Sequence, residues 1–186
     1  DELPIPAWDL VPMKKYWEIA RPHGGGLKDG NVAYAPVMFS RGCPYKCHFC
    51  HISKELEGSL GGNTRKYRIK SINRIIKELK ILKNLGVKYV FIEDDSLLAK
   101  KERAKEIFSK VKELGLQLAD VNGINLAHLC TKVDGKLGVD DALMESMAGA
   151  GFKRLQYPIE SASQRILDKY ATGKLNLKKH DVFGLI

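Results

Sequence analysis

Four times along this chain of 186 residues a β-type apolar run is followed by a helical stripe, and that alternation limits the fold more than any other feature. The first run covers 34–39, with Pro36 favouring an edge or early strand position. The others cover 87–92, 116–121 and 152–159, with a polar, glycine-bearing loop expected over 53–68. The first helix is predicted to start at Ser71 as N-cap. Ile72, Ile75, Ile76, Leu79 and Leu82 form its inner stripe, and Gly86 follows its end. Further helices are predicted over 100–114, closed by Gly115, over 140–148, and from about 163 to before Gly173. Alternation of this kind implies an α/β fold, a parallel sheet with helices outside. In such sheets, open or closed, ligands bind at the C-terminal strand ends. The residues with chemistry to offer fall there: Cys43, Cys47 and Cys50 after the first run, Glu93-Asp94-Asp95 after the second, Asn122-Gly123-Ile124-Asn125 after the third, and Glu160-Ser161 after the fourth.

Composition removes several classes. With 44% hydrophobic and 28% charged residues the chain is globular rather than disordered. No apolar run approaches the roughly 18 residues of a spanning helix, and no secretory signal pattern opens the chain. A cytoplasmic location is therefore expected. The net charge of +9 is concentrated in residues 65–115, which carry 15 Lys/Arg against 7 Asp/Glu. Two readings stand. The stretch is a surface for an anionic partner, such as nucleic acid or a reducing protein, or it is the wet outer face of a helix bearing Arg74, Lys77, Lys80 and Lys83. Aromatic residues are not interleaved with it, which disfavours nucleic acid.

Three of the four cysteines lie within eight residues, Cys43-Pro-Tyr-Lys-Cys47-His-Phe-Cys50, and Cys130 stands apart. An odd cluster in a Lys-rich chain without a secretory signal points to thiolates around a metal rather than to disulfides. A structural zinc site needs four tetrahedral ligands, so His48 or His51 would have to join from the same short loop. An iron–sulfur cubane is larger, and three thiolates can each reach a different iron. Electron-transfer clusters recruit four cysteines, so three hint at chemistry on an open iron. Cys130 reads as a buried thiol.

The spacing Cys43-x3-Cys47-x2-Cys50, with Phe49 before the last cysteine, resembles the signature of the radical S-adenosylmethionine (SAM) enzymes. The resemblance implies a partial (β/α) barrel of that type, with about four of six βα units present. It implies a [4Fe–4S] cluster on Cys43, Cys47 and Cys50, whose open iron is chelated by S-adenosylmethionine, and Phe49 bordering the adenine. In the family an acidic residue after the second strand contacts the amino group of the methionine moiety. That places Asp94 and Asp95 as candidates, with Glu93 third, although the two glycines usual there are absent. The segment 158–167 resembles the family's Glu-Ser-Gly-Ser stretch, with Ala162 for Gly. It implies ribose contacts from Glu160, a role for Ser161 and a carboxylate contact from Arg165. Asn122-Gly123-Ile124-Asn125 resembles a segment of cobalamin-dependent members, with Asn125 where an Arg is usual.

The implied activity is reductive cleavage of S-adenosylmethionine to a 5′-deoxyadenosyl radical that abstracts hydrogen from an organic substrate. Cobalamin-dependent methyl transfer to a small molecule or natural product is the expected outcome, with an electron donor such as flavodoxin or ferredoxin. Residues 1–32 resemble the link after a cobalamin-binding domain, and 33–186 are expected to be the core domain, with its last two units beyond this chain. The alternatives are methylthio transfer within the same family, and a non-catalytic zinc or nucleic-acid module.

Overall fold

The computed structural model describes residues 2–19, 32–54, 66–133, 135–152, 155–178 and 180. Helix α1 (Met13–Ile19) precedes strand β1 (Tyr34–Val37), the two-residue strand β2 (Ser40–Arg41) and the short helix α2 (His51–Lys54). Strand β3 (Arg68–Ile69), helix α3 (Ile72–Asn84), strand β4 (Tyr89–Ile92), helix α4 (Lys101–Leu114) and strand β5 (Gln117–Asp120) follow. A hairpin of β6 (Cys130–Val133) and β7 (Lys136–Val139) leads to α5 (Asp141–Gly149) and α6 (Gln164–Tyr170). Most of the predicted loop over 53–68 lies outside the described residues.

The main sheet has the order β1-β4-β5, all parallel, with Ala35 opposite Val90 and Val90 opposite Leu118. Both faces of its middle strand are covered, as a parallel sheet requires. Ile75, Leu79 and Leu82 of α3, and Ile107, Phe108 and Val111 of α4, are buried in one core with Val90, Ile92 and Leu118. Ser71 caps α3 by accepting from the Arg74 amide at 3.2 Å, a contact worth about 1 kcal/mol. Leu85 caps the other end, so Gly86 with φ 94° takes the place foreseen for it. Pro36 pairs in register with Phe91 on a strand at the edge of this sheet.

Three features depart from the expectations. Ser40–Arg41 does not simply break the first strand but pairs antiparallel with Arg68–Ile69. Two-residue strands leave no readable alternation, and their partner is far away in sequence. The β6–β7 hairpin was also not foreseen, although Asp134-Gly135 between apolar-alternating flanks is a strong hairpin signal. Finally, 152–159 contributes no ladder strand among its described residues. Only isolated bonds are made in this region: Leu118 N–H of β5 donates to Ala150 O, just before the segment, at 3.1 Å, and Ile124 N–H, in the loop after β5, donates to Gln156 O at 2.8 Å. Pro158 has no N–H, and the amides of Ile159 and Ser161 turn back to Tyr157 O and Ile159 O, so no ladder can form there.

The described part of 1–32 packs on the core. Trp8 Nε1 donates to Glu78 at 3.2 Å, Arg74 donates to Pro4 O at 2.7 Å, and Trp17 Nε1 donates to Tyr34 O at 2.8 Å on strand β1.

Candidate active site

The second strand end organises the first. Glu93 N–H donates to Val37 O at 2.9 Å, so the β1–β4 ladder runs one step past both strands and sets the acidic triplet beside the chain that becomes the cysteine loop. Asp94 is 1% exposed. One of its oxygens accepts from the Phe39 amide at 2.7 Å and the other from the Ser40 hydroxyl. Burial pushes its carboxyl up to about 6, against the pull of the Ser40 hydroxyl, the Phe39 and Ser40 amides and the Arg103 guanidinium. Asp95 accepts from the Gly42 amide at 2.8 Å. Adjacent aspartates thus fasten residues 39–42, and Cys43 comes next. Hydrogen bonds to a carboxylate are the strong kind, and these fix where the loop begins.

The far side of the loop rests on the chain after α6. Lys46 N–H donates to Thr172 Oγ1 at 2.7 Å, His48 N–H donates to Tyr170 O at 2.8 Å, and Cys47 Sγ lies 3.7 Å from Thr172 O. Tyr45 lies 2.6 Å from His128 Nε2, with the rings stacked at 5.6 Å. Burial, with Lys101 and Lys174 nearby, pushes His128 down to about 4. The ring is neutral near pH 7, and its tautomer sets which of the two groups donates. Gly173, at φ 75°, makes this seat possible, since a Cβ there would come within 2.0 Å of the Tyr45 ring. Within the loop, Cys50 N–H donates to Cys47 O at 3.2 Å and Ser53 Oγ donates to Cys50 O at 2.9 Å. Phe49 projects from this turn, 56% exposed.

Cys43, Cys47 and Cys50 are free, half-buried thiols. Burial pushes the Cys43 thiol up, and Cys47 and Cys50 add to that, so the three sulfurs stand within electrostatic reach of one another. Cys130 is buried in β6, its thiol directed to Leu126 O at 3.4 Å. Among the described residues no three His, Cys, Asp or Glu side chains gather closely enough for one metal ion. A zinc site takes four ligands on one ion, whereas a cubane takes one thiolate per iron. Three soft thiolates on one pinned, half-buried loop fit the larger group.

Sequence reasoning missed Asp120, which closes β5 opposite Ile92. Its Oδ2 accepts from the Gly123 amide at 2.7 Å, while Oδ1 is buried without a partner among the described residues. Burial pushes its carboxyl up to about 6, and the like charges of Asp94 and Glu93 push the same way. The rule that placed candidates after strands would have found it had the third strand been ended two residues earlier. Asn122 ties this strand end to the second, donating to Glu93 O at 3.0 Å. The Glu93 carboxylate has no hydrogen-bond partner among the described residues. Asn125 caps a short 3-10 turn and donates to Gly173 O at 2.8 Å, so it serves the loop seat. Tyr45 and His128 were also missed, because nothing in the sequence joins two residues 83 apart.

On the fourth segment Glu160 holds φ 71°, a conformation costly for a residue with a Cβ. Its carboxylate pairs with Lys174 at 3.2 Å, and Lys174 also donates to Pro158 O at 2.6 Å. Ser161 Oγ accepts from the Ser163 amide at 3.0 Å. Arg165 is exposed near the start of α6 and makes no ion pair with a described residue. His48 lies edge-on to Tyr170 at 5.9 Å, and His51 opens α2 in an exposed position.

Comparison with known proteins gives the family and the fold. The sequence profile of the Radical SAM superfamily matches residues 37–180. An uncharacterised methyltransferase of Pyrococcus horikoshii is 32% identical over 174 residues, 93% of this chain and 32% of that protein. Cytidylyl-2-hydroxyethylphosphonate methyltransferase of Streptomyces wedmorensis is 30% identical over 183 residues, 96% of this chain and 30% of that one. The chain thus spans about a third of the length of these relatives. The radical S-adenosylmethionine methyltransferase TsrM of Kitasatospora setae, solved with cobalamin and a [4Fe–4S] cluster, shares the fold with a TM-score of 0.55 at 13% identity. The overlap covers 81% of this chain and 26% of that one.

Proposed function

Since this chain belongs to the radical SAM superfamily, we propose that it is the catalytic core of a methyltransferase acting on a small organic substrate, with cobalamin as the methyl carrier. The family uses a [4Fe–4S] cluster and S-adenosylmethionine, which together supply one-electron cleavage of a carbon–sulfur bond. The observation that carries the reading is the pinned cysteine loop. Asp94 and Asp95 hold its start, and Thr172, Tyr170 and His128 hold its far side. Its three thiols therefore stand at the C-terminal strand ends beside an acidic group. Methyl transfer rests on the two methyltransferase relatives, and cobalamin on the structural likeness to a cobalamin-bound enzyme.

Within this reading Cys43, Cys47 and Cys50 hold the cluster, and exposed Phe49 lies against the adenine. Four acids divide the work. Asp94 spends both oxygens on the chain and positions the loop, whereas Asp95, Glu93 and Asp120 each keep acceptor capacity for an ammonium group. In this reading Glu160, now paired with Lys174, and Ser161 are assigned to the ribose hydroxyls and Arg165 to a carboxylate, as the resemblance of segment 158–167 implies. Electrons come from a small acidic redox protein such as flavodoxin or ferredoxin, in the cytoplasm. No helix of the described residues is long and apolar enough to cross a membrane.

The test is anaerobic reconstitution with iron and sulfide. A brown protein that releases methionine from S-adenosylmethionine under dithionite supports the reading, with Cys47→Ala colourless. A colourless wild type carrying one zinc refutes it.

A further inference from the structure

Strands β2 and β3 place Arg41 directly opposite Arg68 in an antiparallel ladder. Like charges so placed destabilise a strand pair. Both side chains are exposed, and neither has a hydrogen-bond or ion-pair partner among the described residues. Their neighbours are differently placed. Lys70 pairs with Glu78 at 2.9 Å, and Arg74 donates to Pro4 O at 2.7 Å. The ribbon itself is firmly held. Ser40 is bonded to Asp94, Lys70 N–H donates to Phe39 O at 3.1 Å, and Arg103 bridges Phe39 O and Lys70 O at 3.1 and 2.7 Å.

This ribbon forms one wall of a cavity of about 370 Å³, and the N-terminal segment forms the other. Arg41, Arg68, Lys70 and Arg74 line it, against the single carboxylate of Glu2. Leu3, Met38 and Ile69 give it apolar surface. We propose that this cleft binds an organic phosphate or phosphonate, whose anionic head sits between Arg41 and Arg68 and whose carbon body lies on the apolar wall. Guanidinium forks suit phosphoryl oxygens, and one dianion converts the repulsive pair into a bridged one. The volume is within the range of small-ligand clefts. Arg41 is two residues before Cys43, so the bound anion braces the strand that leads into the loop. The inference needs no cluster and stands apart from the proposed reaction.

The experiment is titration calorimetry and thermal melting of the full chain at fixed ionic strength. The probes are inorganic phosphate and phenylphosphonate, with chloride as reference. Wild type should bind phenylphosphonate saturably and several-fold tighter than phosphate. Arg41→Gln/Arg68→Gln should weaken it by roughly tenfold or more, the scale of a lost charge-assisted hydrogen bond. Arg68→Gln alone should melt higher than wild type in chloride, as the repulsion is relieved, while losing much of the phosphonate-induced shift. Lys80→Gln, which removes one charge elsewhere, should leave both readouts unchanged. Equal affinity for the two probes would make the occupant free phosphate and overturn the organic ligand. Binding by the double variant or by Arg68→Gln within twofold of wild type would overturn the site.

Discussion

Asp94 and Asp95 are neighbours in sequence, yet the end of β4 turns them to different work. Asp94 is buried with each oxygen bonded to the chain, and Asp95 has one oxygen pledged to Gly42. Asp95→Ala should therefore leave a brown protein whose affinity for S-adenosylmethionine falls about tenfold. Unchanged affinity would mean that the ammonium is held elsewhere. Asp94→Ala orphans the buried Phe39 amide and Ser40 hydroxyl, at about 1–3 kcal/mol each, and should lower iron incorporation as well as stability. Asp120 gives a pH signature. Its folded carboxyl lies at about 6, above its ordinary value near 3.8, so the native state binds more protons than the unfolded one between these limits. Its contribution is fully present below the lower value and is lost as pH rises through 6. Asp120→Asn keeps the acceptor for Gly123 and removes the buried charge. Urea titrations should show this variant more stable than wild type at pH 7.5, with the gap closing as pH falls toward 4. A constant gap would contradict the assignment.

Among elements, the helices were the most legible, because their stripes are long and their ends carry recognisable residues. Ser71, Gly86 and Gly115 sit where their chemistry foretold, and β4 and β5 followed from dense β-branched and apolar runs. What was hidden was short or made at a distance. The β2–β3 pair is two residues long, and the segment after α5 keeps a strand-like composition while Pro158 and two tight turns consume its donors. At the site, the cysteine spacing alone marked the thiols, and the βα rule placed the acids. The seat on 170–174 was invisible, since Gly173 reads locally as a helix stop. Gly173→Ala would drive a methyl into the Tyr45 ring and strain a φ of 75°. It should cost on the order of 1–3 kcal/mol, read as a lower melting temperature, and reduce iron content after reconstitution. Full iron loading at wild-type stability would show that the loop does not need this seat.

Across the whole molecule, three parallel strands, two covering helices and an N-terminal segment that packs on the first strand converge on one purpose. They hold a short sulfur-bearing loop at the sheet's C-terminal edge. The positive stretch at 65–115 is partly absorbed by this architecture, with Arg103 and Lys70 bonded into the ribbon, while Arg68 faces Arg41 across the ribbon with no ion-pair partner among the described residues. The function proposed for this loop requires that it carry a cubane on three thiolates and leave one iron open. Mössbauer spectroscopy of iron-57-reconstituted protein tests it directly. On addition of S-adenosylmethionine, one iron should separate from the other three, and Cys130→Ala should give the same spectrum. Four equivalent irons unmoved by S-adenosylmethionine, or loss of the cluster with Cys130, would contradict the account.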